Sequence, residues 1–126
     1  MKARPIILVT DDVSEICNLV AKFLEPFGYN VISAKSGRDA LALVRSQSFD
    51  LVVTDVLMPD GNGIELITEL KRTCTLPILA ISGGGGPGLG SDQCVELART
   101  AGADATLTKP FDRKQLLAAV TTALGN

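Results

Sequence analysis

The stretch LVVTDVLMPDGNG, residues 51–63, changes from an unbroken aliphatic run to an acid and then to a turn. Unbroken runs of this kind are typical of strands whose two faces are both covered in a parallel sheet. The turn residues that follow, among them Pro59 and Gly61, end such a strand. In open α/β sheets, ligands bind at the carboxyl ends of the strands, and Asp55 stands there. The stretch therefore predicts a central strand that ends on a functional carboxylate.

A predicted strand is followed by a predicted helix five times along the chain. The first, third and fourth strands contain unbroken apolar runs, which predicts central positions, whereas the mixed second and fifth suit sheet edges. Alternating strands and helices require right-handed crossovers, with helices on both faces. We therefore predict an α/β fold: a doubly wound five-stranded parallel sheet of order 2-1-3-4-5, in a flavodoxin-like (βα)5 three-layer sandwich. The predicted strands are Pro5–Thr10, Tyr29–Ala34, Asp50–Asp55, Pro77–Ser82 and Asp104–Thr108.

The helices are predicted from apolar spacing and from capping residues. Apolar residues recur at helical spacing between residues 13 and 27, and Gly28 ends this first helix. The second helix is expected from about Gly37 to Arg45, and the fourth from about Ser91 to Ala101. Capping-box pairs predict the starts of the third and fifth helices. These pairs are Asn62 with Glu65 and Asp112 with Gln115.

Length and composition restrict the class of protein. With 126 residues, 46% of them hydrophobic and 21% charged, we expect one globular domain, residues 1–126, with no effector domain. The net charge of −2 gives no reason to expect nucleic acid or an anionic membrane as a partner. No apolar run approaches the roughly 18–20 residues that a bilayer requires, and no signal-peptide cleavage site follows the first apolar stretch. We therefore predict a cytoplasmic protein.

Histidine and cysteine content narrows the chemistry further. The chain contains no histidine, which excludes Ser/His/Asp triads, histidine zinc sites and imidazole acid–base catalysis. The cysteines are Cys17, Cys74 and Cys94, an odd number with no CxxC pair, so reduced thiols are expected.

Acidic residues follow two strands that the predicted topology makes neighbours. Asp11 and Asp12 follow the first strand and Asp55 ends the third, so all three emerge at one edge of the sheet. Close carboxylates repel one another, and a hard divalent cation relieves that repulsion; we expect Mg²⁺. Taken singly, Asp12 could cap the first helix, with Glu15 three residues on, Asp11 could be a solvated loop acid, and Asp55 could form a turn. Taken together, they predict a metal site.

Two further polar residues end strands at the same edge. Ser82 ends the fourth strand, and Lys109 follows the fifth, before Pro110. Taken singly, a serine before glycines is usually a turn residue, and a lysine is usually solvated surface. Their positions nevertheless put a hydroxyl donor and a cation at the rim of the acidic site. A phosphoryl group on Asp55 would need such partners.

These motifs together resemble a known family. The set DD at 11–12, TDVLMPDGNG at 54–63, Ser82, and KPF at 109–111 resembles the receiver domain of bacterial response regulators over essentially the whole chain. The resemblance implies a phospho-accepting switch of a two-component system. The phosphodonor would be a sensor histidine kinase or a histidine phosphotransfer protein, and output would pass to an unidentified downstream protein or along a phosphorelay. Such a domain catalyses only its own phosphorylation and slow autodephosphorylation.

The resemblance also implies the roles of the acidic residues. Asp55 would be the phosphoacceptor and a ligand of Mg²⁺. Asp12 would bind Mg²⁺ directly, Asp11 would hold it mainly through water, and the backbone carbonyl of Leu57 would supply another ligand.

The phosphoryl contacts and the switch are implied in the same way. Lys109 would contact the phosphoryl oxygens, and Ser82 would hydrogen-bond to them as the switch hydroxyl. The Lys109–Pro110 peptide bond would be cis. Thr106 departs from the family, because receivers often carry Tyr or Phe three residues before this lysine. The usual coupling of the hydroxyl to an aromatic ring therefore cannot operate, and we expect the signal to pass through the glycine-rich loop and the fourth helix.

The glycine-rich stretch SGGGGPGLGS, residues 82–91, is a second departure. It contains Gly83-x-Gly85-x-x-Gly88, a pattern that also occurs in dinucleotide- and phosphate-binding loops. That fingerprint belongs in a first strand–helix turn, and the lysine of a Walker-type loop is missing. We expect a mobile loop beside the site, which orders on phosphorylation. Gly61 also stands where receivers often carry Met.

Two other classes of protein compete with the switch. The first is a constitutive docking scaffold that has the same fold but does not switch, for which a costly acid cluster would have no purpose. The second is an enzyme that uses Asp55 as a turnover nucleophile, of the flavodoxin-like or haloacid-dehalogenase-like kind. The DxDx[TV] pattern of the latter is absent from TDVLMPDG, and a cap domain does not fit in this length.

Overall fold

Short apolar strands alternate with amphipathic helices, as the sequence predicts. A computed structural model describes residues 4–56, 63–83 and 91–125. Each strand ends at its predicted residue and begins one residue later than predicted. The strands are β1 (Ile6–Thr10), β2 (Asn30–Ala34), β3 (Leu51–Asp55), β4 (Ile78–Ser82) and β5 (Ala105–Thr108).

All five strands are parallel and form one sheet of order β2-β1-β3-β4-β5, which confirms the predicted topology. Within it, Leu8 of β1 lies opposite Ile32 of β2 and Val52 of β3. Every residue of β3 and β4 is buried, whereas β2 and β5 keep exposed or half-buried positions. The strands predicted as central from their unbroken apolar runs are therefore the central ones.

The helices are α1 (Ser14–Leu24), α2 (Gly37–Ser46), α3 (Gly63–Thr73), α4 (Ser91–Ala101) and α5 (Arg113–Leu124). A 3₁₀ turn, Glu25–Phe27, follows α1, because Pro26 cannot continue the α-helical hydrogen bonds. Gly28 then reverses the chain with φ +98°. The predicted capping box of Asp112 and Gln115 is present, while the pair at Asn62 lies outside the described residues. No helix within the described ranges is long and apolar enough to cross a membrane.

The start of α1 corrects one alternative from the sequence. The N-cap residue is Val13, with no side-chain cap bond, so Asp12 does not cap this helix. Oδ1 of Asp11 instead accepts a hydrogen bond from the N–H of Val13 at 2.9 Å. The Asp11 carboxylate therefore stabilises the turn between β1 and α1, and Asp12 is exposed at the edge of the sheet.

The sheet separates two apolar cores, each of which lies between one face of the sheet and the helices that cover that face. Alternate residues of a strand face opposite sides, so Leu8 and Ile7 of β1 belong to different cores. Leu8 packs with residues of α2, α3 and α4, among them Ala40, Leu70 and Ala98. Ile7 packs with residues of α1 and α5, among them Val20 and Leu116.

Two aspartates hold the amino ends of neighbouring strands together. The backbone N–H of Asp50 donates to the carbonyl of Ile6 at 2.8 Å, and its carboxylate accepts from the N–H of Ile6 at 2.7 Å. Asp104 makes the same pair of bonds with Ile78, both at 2.8 Å. Nζ of Lys71 adds a contact of 2.7 Å to the Asp104 carboxylate. The strand register is thus held at the edge opposite the acidic residues.

Candidate functional site

Three acidic side chains meet at the carboxyl ends of β1 and β3. Asp11 and Asp12 directly follow β1, and Asp55 is the last residue of β3. One carboxylate oxygen from each lies within 4.8 Å of the other two. Asp11 is 2% exposed and Asp55 8% exposed, whereas Asp12 is open to solvent. The predicted convergence of the three acids is confirmed, and it arises because the strand order places β1 beside β3.

Backbone contacts fix Asp11 at the base of the site. Its N–H donates to the carbonyl of Ala34 on β2 at 3.2 Å. Its Oδ1 accepts from Val13 and its Oδ2 lies 3.5 Å from Nζ of Lys109. Both carboxylate oxygens of this buried side chain therefore have partners, as a buried charge requires.

Lys109 supplies the positive charge of the site. Its backbone N–H donates to the carbonyl of Ser82 at 2.8 Å, which extends the β4–β5 pairing one residue past β5. Its Nζ lies 3.4 Å from Oδ2 of Asp55 and 3.5 Å from Oδ2 of Asp11. The peptide bond from Lys109 to Pro110 is cis, as predicted. One ammonium thus faces a cluster of three carboxylates, so the site carries an excess of negative charge.

The donor set fits a hard divalent cation. Three carboxylates, two of them buried, offer only oxygen ligands, which Mg²⁺ prefers over nitrogen and sulfur. A single ammonium balances part of their charge, and a divalent cation would balance the rest. The carbonyl of Leu57, named as a further ligand from the sequence, lies outside the described residues.

Ser82 presents a hydroxyl that has no partner within the described part of the chain. The residue is 1% exposed, and its Oγ makes no hydrogen bond there. A buried hydroxyl without a partner costs free energy, so such a group is typical of a site that awaits a ligand oxygen. Gly83 follows directly, and a Cβ added to it would lie 3.4 Å from Cδ of Lys109. Residues 84–90, the rest of the glycine-rich loop, lie outside the described ranges.

Thr106 lies on β5, opposite Ala80 of β4. It is half-buried and borders a surface hollow of about 320 Å³ between α4, β5 and α5. The other lining residues are Arg99, Ala103, Asp104, Ala105, Ala119 and Thr122. Alanine and threonine side chains, together with Arg99 and Asp104, therefore line this hollow, and none of the lining residues is aromatic.

Two neighbours of the site were not found from the sequence. Gly63, the first residue of α3, packs against the backbone of Asp55 so closely that a Cβ there would overlap the Asp55 carbonyl oxygen. Cys17 on α1 is 4% exposed, and its Sγ donates to the carbonyl of Asp11 at 3.5 Å. Burial raises the pKa of the Cys17 thiol, and the charge of Asp11 raises it further. A glycine after a turn is typical of a close backbone approach, but it does not identify Asp55 as the neighbour. The helical spacing of Cys17 gives no signal for its contact with Asp11.

The chain as a whole matches a known protein family. Residues 7–121 match the response regulator receiver domain family. The chain belongs to this family. Receiver domains are signalling domains of two-component systems, and the order of strands and helices here is that of the CheY-like, flavodoxin-like fold.

Curated relatives of this receiver domain are longer proteins. The regulatory protein VanRc of Enterococcus gallinarum is 34% identical over 118 residues, which are 94% of this chain and 49% of the relative. The transcriptional regulatory protein CpxR of Escherichia coli K12 is 36% identical over 118 residues, 94% of this chain and 48% of the relative. The receiver domain thus spans about half the length of the curated relatives it matches. The expectation that it acts without an effector domain stays a prediction.

Solved structures match the receiver domain over nearly its whole length. The chemotaxis response regulator CheY4 of Vibrio cholerae superposes with a TM-score of 0.83 at 28% identity, covering 95% of this chain and 98% of that one. A response regulator receiver domain protein from Clostridium thermocellum gives a TM-score of 0.84 at 30% identity, covering 96% and 94%. Both matches support the fold as well as the family.

Proposed function

We propose that this receiver domain is a phospho-accepting switch in which Asp55 takes a phosphoryl group from a phosphohistidine. The domain would act in the cytoplasm, and the donor would be a sensor histidine kinase or a histidine phosphotransfer protein. The observation that carries the proposal is the meeting of Asp11, Asp12 and Asp55 beside the ammonium of Lys109, 3.4 Å from the Asp55 carboxylate. The groups proposed as acceptor, counter-charge and metal ligands thus lie close together.

The proposed transfer is a single displacement at phosphorus. A carboxylate oxygen of Asp55 attacks the phosphorus atom, and the bond from phosphorus to the imidazole nitrogen of the donor breaks. The electron pair of that bond stays on the nitrogen, which takes up a proton, and Asp55 becomes an acyl phosphate. Phosphoryl transfer of this kind depends mainly on positioning and charge stabilisation. Lys109 supplies a cation within reach of the phosphoryl oxygens.

Mg²⁺ would be held by Asp11, Asp12 and Asp55, with the carbonyl of Leu57 as the fourth protein ligand proposed. When bound, it supplies charge neutralisation for the phosphoryl oxygens. Water would later attack the phosphorus of the acyl phosphate slowly, restoring the carboxylate and releasing inorganic phosphate. The domain would therefore act on itself only, with no turnover of an external substrate.

The buried hydroxyl of Ser82 supports a switching role. A phosphoryl group on Asp55 adds negative charge and acceptor oxygens at the end of β3, next to β4. Ser82 Oγ, which has no partner among the described residues, can donate to one of those oxygens. This new bond would draw Ser82 and Gly83 towards Asp55, and a downstream protein would bind the altered surface or receive the phosphoryl group in a relay.

Labelling with a small phosphodonor tests the proposal. Acetyl phosphate with Mg²⁺ should phosphorylate the wild-type domain, and chelation of Mg²⁺ or the Asp55→Asn substitution should abolish labelling. Asp39→Asn, which changes an exposed aspartate on α2, is the matched control and should label normally. Equal labelling of wild type and Asp55→Asn would show that the acceptor is another residue.

A further inference from the structure

Gly63 lies against the backbone of the proposed phosphoacceptor. Its N–H donates to the carbonyl of Val56 at 2.9 Å, which joins the start of α3 to the end of β3. A Cβ at position 63 would overlap the carbonyl oxygen of Asp55 and lie 2.9 Å from Cα of Val56. Non-bonded carbons need about 3.5–4.0 Å. The atoms in the way belong to the backbone and not to a flexible side chain, so no rotamer change can relieve the overlap.

The same Asp55 carbonyl has a second contact. Oγ1 of Thr54, a residue with no exposed surface, donates to it at 3.0 Å. The next residue is anchored to β4, because the N–H of Val56 donates to the carbonyl of Ile81 at 2.9 Å. A side chain at position 63 would therefore force the Asp55 peptide out of a place that Thr54 and β4 both hold.

We propose that Gly63 and Thr54 are positioning residues for the phosphoryl transfer. Their proposed action is through the Asp55 peptide, which carries the acceptor carboxylate. The inference rests on the proposed function of Asp55. Displacement of a reacting group by about 1 Å can lower a rate on the order of 100-fold, so small backbone movements at this residue matter. If Asp55 moves while Lys109, Asp11 and Asp12 stay in place, the geometry of the proposed metal site changes as well.

A merely structural role for Gly63 would affect stability alone. The test therefore needs a control that strains the backbone without touching Asp55. Gly28→Ala is a suitable control, because the φ of +98° at Gly28 makes Ala unfavourable there, while an added Cβ would meet nothing within 4 Å. Gly28 lies just before β2, at the amino edge of the sheet, away from the acidic site. Thr54→Val provides a second probe, because it removes the hydroxyl bond to the Asp55 carbonyl and adds no volume.

The experiment compares wild type, Gly63→Ala, Thr54→Val and Gly28→Ala. Mg²⁺ binding is followed by amide NMR titration, the rate of acetyl phosphate labelling is measured at saturating Mg²⁺, and thermal unfolding gives the folded fraction. We expect Gly63→Ala to label about 100-fold more slowly and to bind Mg²⁺ more weakly. Thr54→Val should label about fivefold more slowly, as expected for one lost hydrogen bond. Gly28→Ala should unfold at lower temperature with both site measurements unchanged.

Each outcome decides the proposal. Labelling of folded Gly63→Ala at the wild-type rate overturns it, as does an equal loss in Gly28→Ala. If Gly63→Ala does not fold, Thr54→Val decides: a slower rate supports the positioning role, and an unchanged rate overturns it. If wild type is not labelled, the proposed function fails separately, and the Mg²⁺ titration decides whether the two residues position the Asp55 carboxylate. Weaker binding by Gly63→Ala, or by Thr54→Val should Gly63→Ala not fold, supports that positioning, and wild-type affinity overturns it.

Discussion

The ammonium of Lys109 lies 3.4 Å from Oδ2 of Asp55, although the two residues are 54 positions apart in the sequence. The same ammonium lies 3.5 Å from Oδ2 of Asp11. Both carboxylates are almost fully buried, whereas the lysine side chain is 26% exposed. A single cation thus serves two buried acids, and its loss should affect both the reaction and the affinity for metal.

Replacing Lys109 with Ala should slow phosphorylation of Asp55 and strengthen the binding of Mg²⁺. The rate of acetyl phosphate labelling should fall on the order of 100-fold, because a positioned charge that stabilises the transition state is lost. Mg²⁺ should bind more tightly, because a competing positive charge has left the carboxylates. Lys114→Ala, at an exposed position of α5, should change neither quantity. Weaker Mg²⁺ binding by Lys109→Ala would contradict the arrangement.

Replacing Ser82 with Ala should leave the resting domain intact and impair its response. The Oγ has no partner among the described residues, so its removal should keep the free energy of unfolding or raise it by up to about 1 kcal/mol. The affinity for beryllofluoride, a phosphoryl mimic, should fall about tenfold through loss of a charge-assisted hydrogen bond. Thr10→Val is a matched control, because Oγ1 of Thr10 is also buried without a partner in the described ranges. Equal effects of the two substitutions on beryllofluoride binding would exclude a special role for Ser82.

The paired bonds of Asp50 and Asp104 predict a difference in stability between two similar variants. Asp50→Ala should lower the free energy of unfolding by about 1.5–3 kcal/mol, because the N–H of Ile6 loses a charged acceptor. Asp104→Ala should cost up to about 1 kcal/mol more, since it also breaks a partly exposed contact with Lys71. Urea unfolding measures both values. Labelling of Asp55 should be unchanged, because these bonds lie at the opposite edge of the sheet, and a labelling defect would contradict that separation.

Cys17 predicts a loss of stability in alkaline solution. Burial, together with the negative charge of Asp11, raises the pKa of its thiol in the folded state. The unfolded chain has the ordinary value of about 8.5, so it releases the proton at lower pH than the folded domain. The protonated thiol of Cys17 therefore contributes fully to stability below about pH 8.5, and this contribution is lost as the pH rises through the pKa of the folded state. Between pH 7 and 9.5, the free energy of unfolding measured in urea should fall less for Cys17→Ala than for wild type. Equal falls in the two proteins would refute this.

The carboxyl ends of the strands could be predicted from sequence because polar residues interrupt apolar runs there. Asp55 and Ser82 are such residues, and both end a strand as predicted. The amino ends were each placed one residue too early. Pro77 illustrates the reason: its carbonyl accepts a hydrogen bond from the N–H of Val52 at 3.0 Å, yet the residue itself lies outside the strand. A residue that makes the first hydrogen bond between two strands can thus lie just before the strand itself, and the sequence does not separate the two.

The meeting of Asp11, Asp12 and Asp55 could be predicted because topology alone brings β1 beside β3. The contact of Gly63 with Asp55 could not, because it depends on how closely α3 packs against the sheet. The alternative that Asp12 caps α1 is ruled out for a related reason: Oδ1 of Asp11 accepts a hydrogen bond from the N–H of Val13, which local spacing does not reveal. The positions of these acids are confirmed, whereas the roles of all the site residues, Leu57 and the stretch at 84–90 included, stay predictions.

A crystal structure of the domain with Mg²⁺ and beryllofluoride tests the central claim most directly. The account predicts beryllium bonded to a carboxylate oxygen of Asp55, Mg²⁺ held by Asp11, Asp12 and Asp55, and the mimic's fluorines contacted by Lys109 and Ser82. Beryllofluoride on another residue, or these three carboxylates apart with no metal between them, would contradict it.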